Sequence, residues 1–102
     1  MATLHTINKS PFDKNSLETC VRLASKGSAV LFIEDGIYGA MKGTAKSSLV
    51  EGSKGDLSFY VLGPDLKARG IGEDKLIDGI KVVDYNGFVK LAVDNDKVQA
   101  WL

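Results

Sequence analysis

The chain has 102 residues, the length of one ordinary domain, and its thirteen basic and thirteen acidic side chains leave no formal net charge. Hydrophobic residues make up 44% of the sequence and charged residues 25%, which is typical of a globular chain with its own core. We therefore expect a single domain over residues 1–102. Neutrality argues against direct binding of nucleic acid or of an anionic membrane surface.

Cysteine content and apolar runs indicate the compartment. The chain has one cysteine, so it cannot form an internal disulfide, as is usual in a reducing compartment. Its longest apolar run, Ala29–Ile33, is far too short to span a membrane. Its first residues lack the basic segment and long apolar run of a signal peptide. We expect a soluble, cytoplasmic protein.

The first part of the chain predicts a strand and then an amphipathic helix. Thr3–Ile7 is a short apolar and β-branched run, typical of a strand. After a turn-rich segment, Asn15 or Ser16 can cap a helix, and Glu18 lies where a capping box requires it. Gly27 lies where a left-handed residue would end the helix. The apolar stripe of this helix repeats with a period of 3.6 residues and comprises Leu17, Cys20, Val21 and Ala24.

The rest of the chain predicts further strands separated by helical segments. The nearly continuous apolar run Ala29–Asp35 is typical of a strand buried on both faces of a parallel sheet. A short helix should follow within residues 37–43, and a loop or weak helix within residues 44–56. The later elements are strands at Leu57–Gly63 and Ile80–Asp84, helical turns at Pro64–Gly70, a helix at Gly87–Val93, and an edge strand within residues 97–102.

This alternation predicts the fold class. Strands separated by helix-length segments form βαβ units, whose crossovers are right-handed and whose strands are parallel. We expect an α/β fold: one small three-layer α/β/α domain around a mainly parallel sheet of four or five strands.

Polar side chains follow each predicted strand, at the sheet edge where open α/β proteins bind ligands. Carboxylates there could serve acid–base chemistry or hold a metal, but Asp is also a preferred helix cap, and we favour the capping interpretation. The glycine patterns match neither a P-loop nor a dinucleotide-binding fingerprint. These strand-end residues are Asn8, Lys9, Ser10, Glu34, Asp35, Pro64, Asp65, Asp84 and Tyr85.

The chain offers few metal-ligating side chains. His5 is its only histidine, so a histidine cluster or a Cys–His zinc site within one chain is excluded. We expect His5 to be a satisfied, partly buried strand residue. No cofactor and no metal are predicted.

Cys20 is the one residue that suggests a reactive site. Its place on the apolar stripe favours a buried core residue. A functional thiol would need its pKa lowered by the helix N-terminus or by Lys9, Lys14 or Arg22, and the sequence leaves both interpretations open. Near the C-terminus, Trp101 should either dock on the edge of its own sheet or lie in a subunit interface.

Five segments of the chain carry a family resemblance: LHTINKSPF (4–12), LFIEDGIY (31–38), YVLGPDLKARG (60–70), VDYNGFVKL (83–91) and VQAWL (98–102). In this order and spacing they resemble the DsrH/TusB family, and the likeness runs from Leu4 to Leu102. The cysteine within KSPFDKNSLETC is similar to one in the first helix of the DsrH branch, which we favour.

The resemblance implies a DsrE-like fold and a cytoplasmic sulfur-relay role. Proteins of this kind are the small subunits of an α2β2γ2 heterohexamer with DsrE/TusD-like and DsrF/TusC-like subunits. The complex passes persulfide sulfur to a DsrC/TusE-like carrier, for 2-thiolation of the tRNA wobble uridine or for sulfur oxidation.

Within such a complex the main sulfur-carrying cysteine belongs to the DsrE/TusD-like subunit. This chain would then be a non-principal subunit of a sulfurtransferase complex, and whether it acts as an enzyme stays open. Cys20 is the candidate sulfur-handling thiol, expected near the surface at a crevice. The alternative is a purely structural subunit with Cys20 in the core.

Overall fold

A computed structural model of the chain describes residues 2–101. These residues form a five-stranded sheet in the order β4-β3-β2-β1-β5, in which every neighbouring pair is parallel. The strands are β1 (Thr3–Ile7), β2 (Ala29–Phe32), β3 (Ser58–Leu62), β4 (Lys81–Val83) and β5 (Lys97–Trp101). The helices are α1 (Ser16–Leu23), α2 (Ser47–Glu51), α3 (Gly63–Ala68) and α4 (Tyr85–Asp94), with 3₁₀ helices at Glu34–Ala40 and Glu73–Lys75.

The strand order divides the helices between the two faces of the sheet. The chain moves outward from β1 through β2 and β3 to the edge strand β4, and α4 then carries it back to β5 at the other edge. Because parallel crossovers are right-handed, reversing the direction of travel places α4 on the opposite face from the other helices. The predicted three-layer α/β fold with a parallel sheet is confirmed.

Each face of the sheet has its own apolar core. The larger core joins α1, α2, α3 and the first 3₁₀ helix to strand residues such as Val30 and Phe59. On the other face, α4 covers Leu4, Ala29 and Leu31. All four residues of β2 are buried, as predicted for a strand covered on both sides.

Several predicted boundaries are wrong. The strand predicted to reach Asp35 ends at Phe32, and the chain then turns into a 3₁₀ helix in which Glu34 has a φ of 49°. Helix α1 ends at Leu23, so Gly27, with φ of 91°, lies in the turn before β2 and does not cap the helix. The expected capping box is also wrong, since Asn15 makes no side-chain cap hydrogen bond.

Two other sequence predictions concern the segment before β3 and the C-terminal end of the chain. Of the two alternatives predicted for residues 44–56, a loop or a weak helix, the structure has the helix, α2. The predicted fifth strand is confirmed as β5, at the edge of the sheet. Its last predicted residue, Leu102, lies outside the described residues.

Gly36 brings the first 3₁₀ helix against the end of β1. A Cβ atom on Gly36 would lie 1.9 Å from the Ile7 carbonyl oxygen, which is far inside van der Waals contact. Only glycine therefore permits the backbone after β2 to approach β1 this closely. This approach sets the position of the strand-end residues that follow β2.

Candidate functional site

Cys20 lies on α1 and faces the sheet. Its side chain is 0% exposed and forms part of the larger core together with Leu17. Val21 and Ala24, on the same stripe, are partly buried against that core. The expectation that Cys20 lies near the surface at a crevice is therefore wrong for the folded chain, because the apolar stripe of α1 is covered along the turn that carries the thiol.

The enclosure of Cys20 controls its chemistry. Burial raises the pKa of the Cys20 thiol from 9.0 to about 12, so the thiol is protonated at neutral pH. The cations considered as activating groups, Lys9, Lys14 and Arg22, all have exposed side chains. Since the thiolate is the nucleophile in sulfur exchange, reaction at Cys20 requires the region around α1 to open.

The carboxylates at the strand ends make structural contacts. Asp84 caps α4, because its Oδ1 accepts a hydrogen bond from the Gly87 amide at 2.8 Å. The capping interpretation is thus confirmed for this residue. Within residues 2–101, no three or more His, Cys, Asp or Glu side chains gather in a group that could hold a metal ion.

The carboxylates after β2 and β3 join the first 3₁₀ helix to α3. The Glu34 amide donates to Asp65 Oδ2 at 2.6 Å, and Arg69 forms an ion pair with Asp35 at 3.1 Å. Arg69 also donates to the Asp65 carbonyl oxygen at 3.4 Å. These contacts hold Glu34 in its left-handed backbone conformation, which is unfavourable for a residue other than glycine.

His5 and Trp101 form a side-chain pair that sequence reasoning missed. The Trp101 indole Nε1 donates to His5 Nδ1 at 3.0 Å, across 96 residues of chain. Because Nδ1 accepts, the neutral imidazole carries its proton on Nε2. Trp101 therefore docks on the edge of its own sheet, the first of the two predicted alternatives. Only the pairing of β1 with β5 brings the two rings together.

The prediction that His5 is a satisfied, partly buried strand residue is wrong. Its side chain is 5% exposed, and its Nε2 is buried without a hydrogen-bond partner among the described residues. Burial lowers the pKa of His5 below 6.5, because desolvation disfavours the charged imidazolium. His5 is thus neutral at physiological pH.

A stripe of apolar side chains on α4 faces away from the sheet. Tyr85, Val89 and Val93 follow one another at intervals of four residues and are 60%, 63% and 77% exposed. We call these three residues the α4 stripe. Val98 of β5 is 52% exposed. It is the register partner of Leu4 and therefore lies on the same face of the sheet as α4. Exposed apolar side chains grouped in this way are typical of an interaction surface.

No helix formed by residues 2–101 has both the length and the apolar character that crossing a membrane would require.

Comparison with known proteins identifies the family. The model of the DsrH family, described as DsrH like protein, matches residues 9–98. The chain is 33% identical over 99 residues to protein TusB of Pectobacterium parmentieri, covering 96% of this chain and 99% of the relative. It is 37% identical over 98 residues to protein TusB of Erwinia tasmaniensis, with the same coverage. The chain belongs to the DsrH family, which confirms the resemblance found in its sequence.

Solved structures support the fold. The YchN protein of Escherichia coli superimposes with a TM-score of 0.79 at 16% identity, covering 98% of this chain and 99% of the other. A protein of unknown function from Methanobacterium thermoautotrophicum gives 0.74 at 18% identity, covering 96% and 97%. At these identities the likeness concerns the fold alone.

Proposed function

We propose that this chain is an assembly subunit of a cytoplasmic sulfur-relay complex. In that complex, DsrE/TusD-like and DsrF/TusC-like subunits join it in an α2β2γ2 heterohexamer, which passes persulfide sulfur to a DsrC/TusE-like carrier. The pathway served is either 2-thiolation of the tRNA wobble uridine or sulfur oxidation. Membership of the DsrH family and the similarity to proteins named TusB support this role.

The observation that carries the proposal is the enclosure of Cys20. A subunit that handled sulfur directly would need a thiolate within reach of a partner's sulfur atom. Instead, the Cys20 side chain is 0% exposed and the pKa of its thiol is raised to about 12. This favours the structural interpretation, in which the cysteine of a partner subunit carries the sulfur and Cys20 fills the core.

The surface of the chain supports an assembly role. The α4 stripe leaves three large side chains more than half exposed on the helix that covers the smaller core. Two sheet edges, at β4 and β5, also have unpaired backbone groups, which can accept strands or loops of another subunit. We propose that the α4 stripe contacts a related α/β subunit.

The test is co-purification of the subunits after co-expression. Val89→Asp should reduce recovery of the partner subunits about tenfold or more, because a carboxylate would be buried in an apolar contact without a partner. Leu23→Asp is the matched control, since Leu23 is 64% exposed on α1, in the opposite helical layer. Equal recovery of partners with both variants would refute the role of the α4 stripe.

Sulfur transfer itself is tested with Cys20→Ala in the intact complex. We expect the complex to form and to load its carrier with persulfide at the wild-type rate, as followed by mass spectrometry after addition of a sulfur donor. Loss of loading in a complex of normal composition would show that Cys20 handles sulfur, which would require α1 to open in the assembly.

A further inference from the structure

A cleft lies at the amino-terminal ends of β3 and β4, away from Cys20 and from the strand-end carboxylates. Its volume is about 210 Å³, and its lining includes Lys54, Ser58, Tyr60 and Lys81. None of the lining residues is acidic. The cleft is therefore lined by two lysines and by two residues with hydroxyl groups, and no carboxylate residue is among them.

The lysines reach the cleft from two different segments. Lys81 begins β4 directly opposite Tyr60, so the two side chains lie on the same face of the sheet. Lys54 comes from the turn before β3, and its Nζ donates to the Asp78 carbonyl oxygen at 2.8 Å. An ammonium group has three donors, so this contact positions Lys54 and leaves two donors free for a ligand.

Gly79 turns the chain next to the Lys54 side chain. Its φ of 92° is a conformation that other residues rarely adopt, and it turns the chain between Asp78 and β4. A Cβ atom at this position would lie 3.6 Å from Lys54 Cδ and 3.9 Å from its Nζ. The Lys54 side chain therefore lies directly over this turn, at the border of the cleft.

The backbone adds one more donor. The Ser58 amide donates to the Ser28 carbonyl oxygen, on the β2 side of β3. Successive amides of a strand point to opposite sides, so the Phe59 amide points to the β4 side. The ladder between β3 and β4 starts at Tyr60, one residue later, and Phe59 lines the cleft. Its N–H group thus points from β3 toward the β4 side, where the cleft lies.

We propose that this cleft binds a tetrahedral oxyanion of the phosphate or sulfate type. Lys54 and Lys81 supply charge-assisted hydrogen bonds, and the Phe59 amide supplies a fixed donor. The site lies at the opposite end of the sheet from the usual ligand position of an open α/β fold. It does not depend on the proposed assembly role.

The experiment is a titration of the ¹⁵N-labelled protein with sodium phosphate, at an ionic strength held constant with sodium chloride. Chemical-shift changes should saturate and be confined to residues 54–60 and 78–81. Lys54→Gln and Lys81→Gln should each raise the Kd about tenfold. Lys14→Gln, an exposed lysine in the loop that follows β1 at the other end of the sheet, should leave it unchanged.

Titrations with sulfate and with adenosine monophosphate identify the source of the oxyanion. Equal affinity for sulfate and phosphate would support a site for free oxyanions, and tighter binding of adenosine monophosphate would support a site for phosphate monoesters. The proposal is overturned if chloride alone produces the same shifts, if no shift saturates, or if the two cleft variants bind phosphate as the wild type does.

Discussion

Alkylation of Cys20 in the native, isolated chain should be at least about a thousandfold slower than in the unfolded chain at pH 8. The rise in the pKa of the thiol from 9.0 to about 12 alone reduces the thiolate population about a thousandfold at any pH well below 9. Enclosure adds to this, because a side chain that is 0% exposed cannot be reached by the reagent. Labelling then proceeds only through opened molecules, and about 5 kcal/mol of stability leaves roughly one molecule in several thousand open.

The assay measures the mass of the intact protein after timed exposure to iodoacetamide, in buffer and in denaturing urea. Repeating it at low urea concentrations distinguishes the kind of opening. Global unfolding makes the logarithm of the rate rise with the slope of the equilibrium unfolding transition, and local release of α1 gives a much smaller slope. Native labelling within tenfold of the unfolded rate, or a labelling midpoint below pH 9, would refute the enclosure of Cys20.

Three further predictions concern stability, each measured by urea unfolding. Cys20→Ser should lower the free energy of unfolding by about 1 kcal/mol more than Cys20→Ala does. The reason is that serine buries a hydroxyl group whose best partner is a helix carbonyl one turn earlier. Equal free energies of unfolding for the two variants would contradict the burial of residue 20. Because the pKa of His5 is lowered from 6.5 in the folded state, the unfolded chain binds the proton more tightly. The contribution of His5 to the free energy of unfolding should therefore be fully present above pH 6.5 and be lost as the pH falls from 6.5 through the folded pKa. The fluorescence of Trp101, the single tryptophan, should change over the same range. His5→Gln should remove this part of the pH dependence, and an unchanged pH profile would count against it. Gly36→Ala should lower the free energy of unfolding by about 3 kcal/mol or more. The control Gly55→Ala should be nearly neutral, because its Cβ would have nothing within 4 Å. Similar effects at the two glycines would argue against the close approach of Gly36 to β1.

The fold could be predicted because it depends on local patterns. Buried strands such as β2 are continuous apolar runs, and α1 repeats its apolar residues with the period of a helix. The boundaries were less predictable. β2 ends early because Gly36 lets the following turn pack against β1, and that close contact between two distant segments leaves no periodic signal.

The candidate site could be predicted only in part. The helical pattern places Cys20 on an apolar stripe, and the sequence identifies Asp84 as a cap. An apolar stripe in the sequence shows which side of a helix is apolar, but it does not show how completely the neighbouring elements cover that side. The two hydrogen bonds that tie Glu34 and Arg69 to Asp65 likewise depend on where α3 lies in space.

The sequence by itself determined the order of strands and helices, the parallel α/β class and the family, because short-range periodicity and local motifs carry that information. The tertiary structure decided that Cys20 is enclosed, that His5 meets Trp101 and that α4 presents an apolar stripe. Each of these depends on β5 pairing with β1 or on helices covering one face of the sheet. Burial, and the pKa shifts that follow from it, arise from contacts between residues far apart in the chain, so they appear only once the chain has folded.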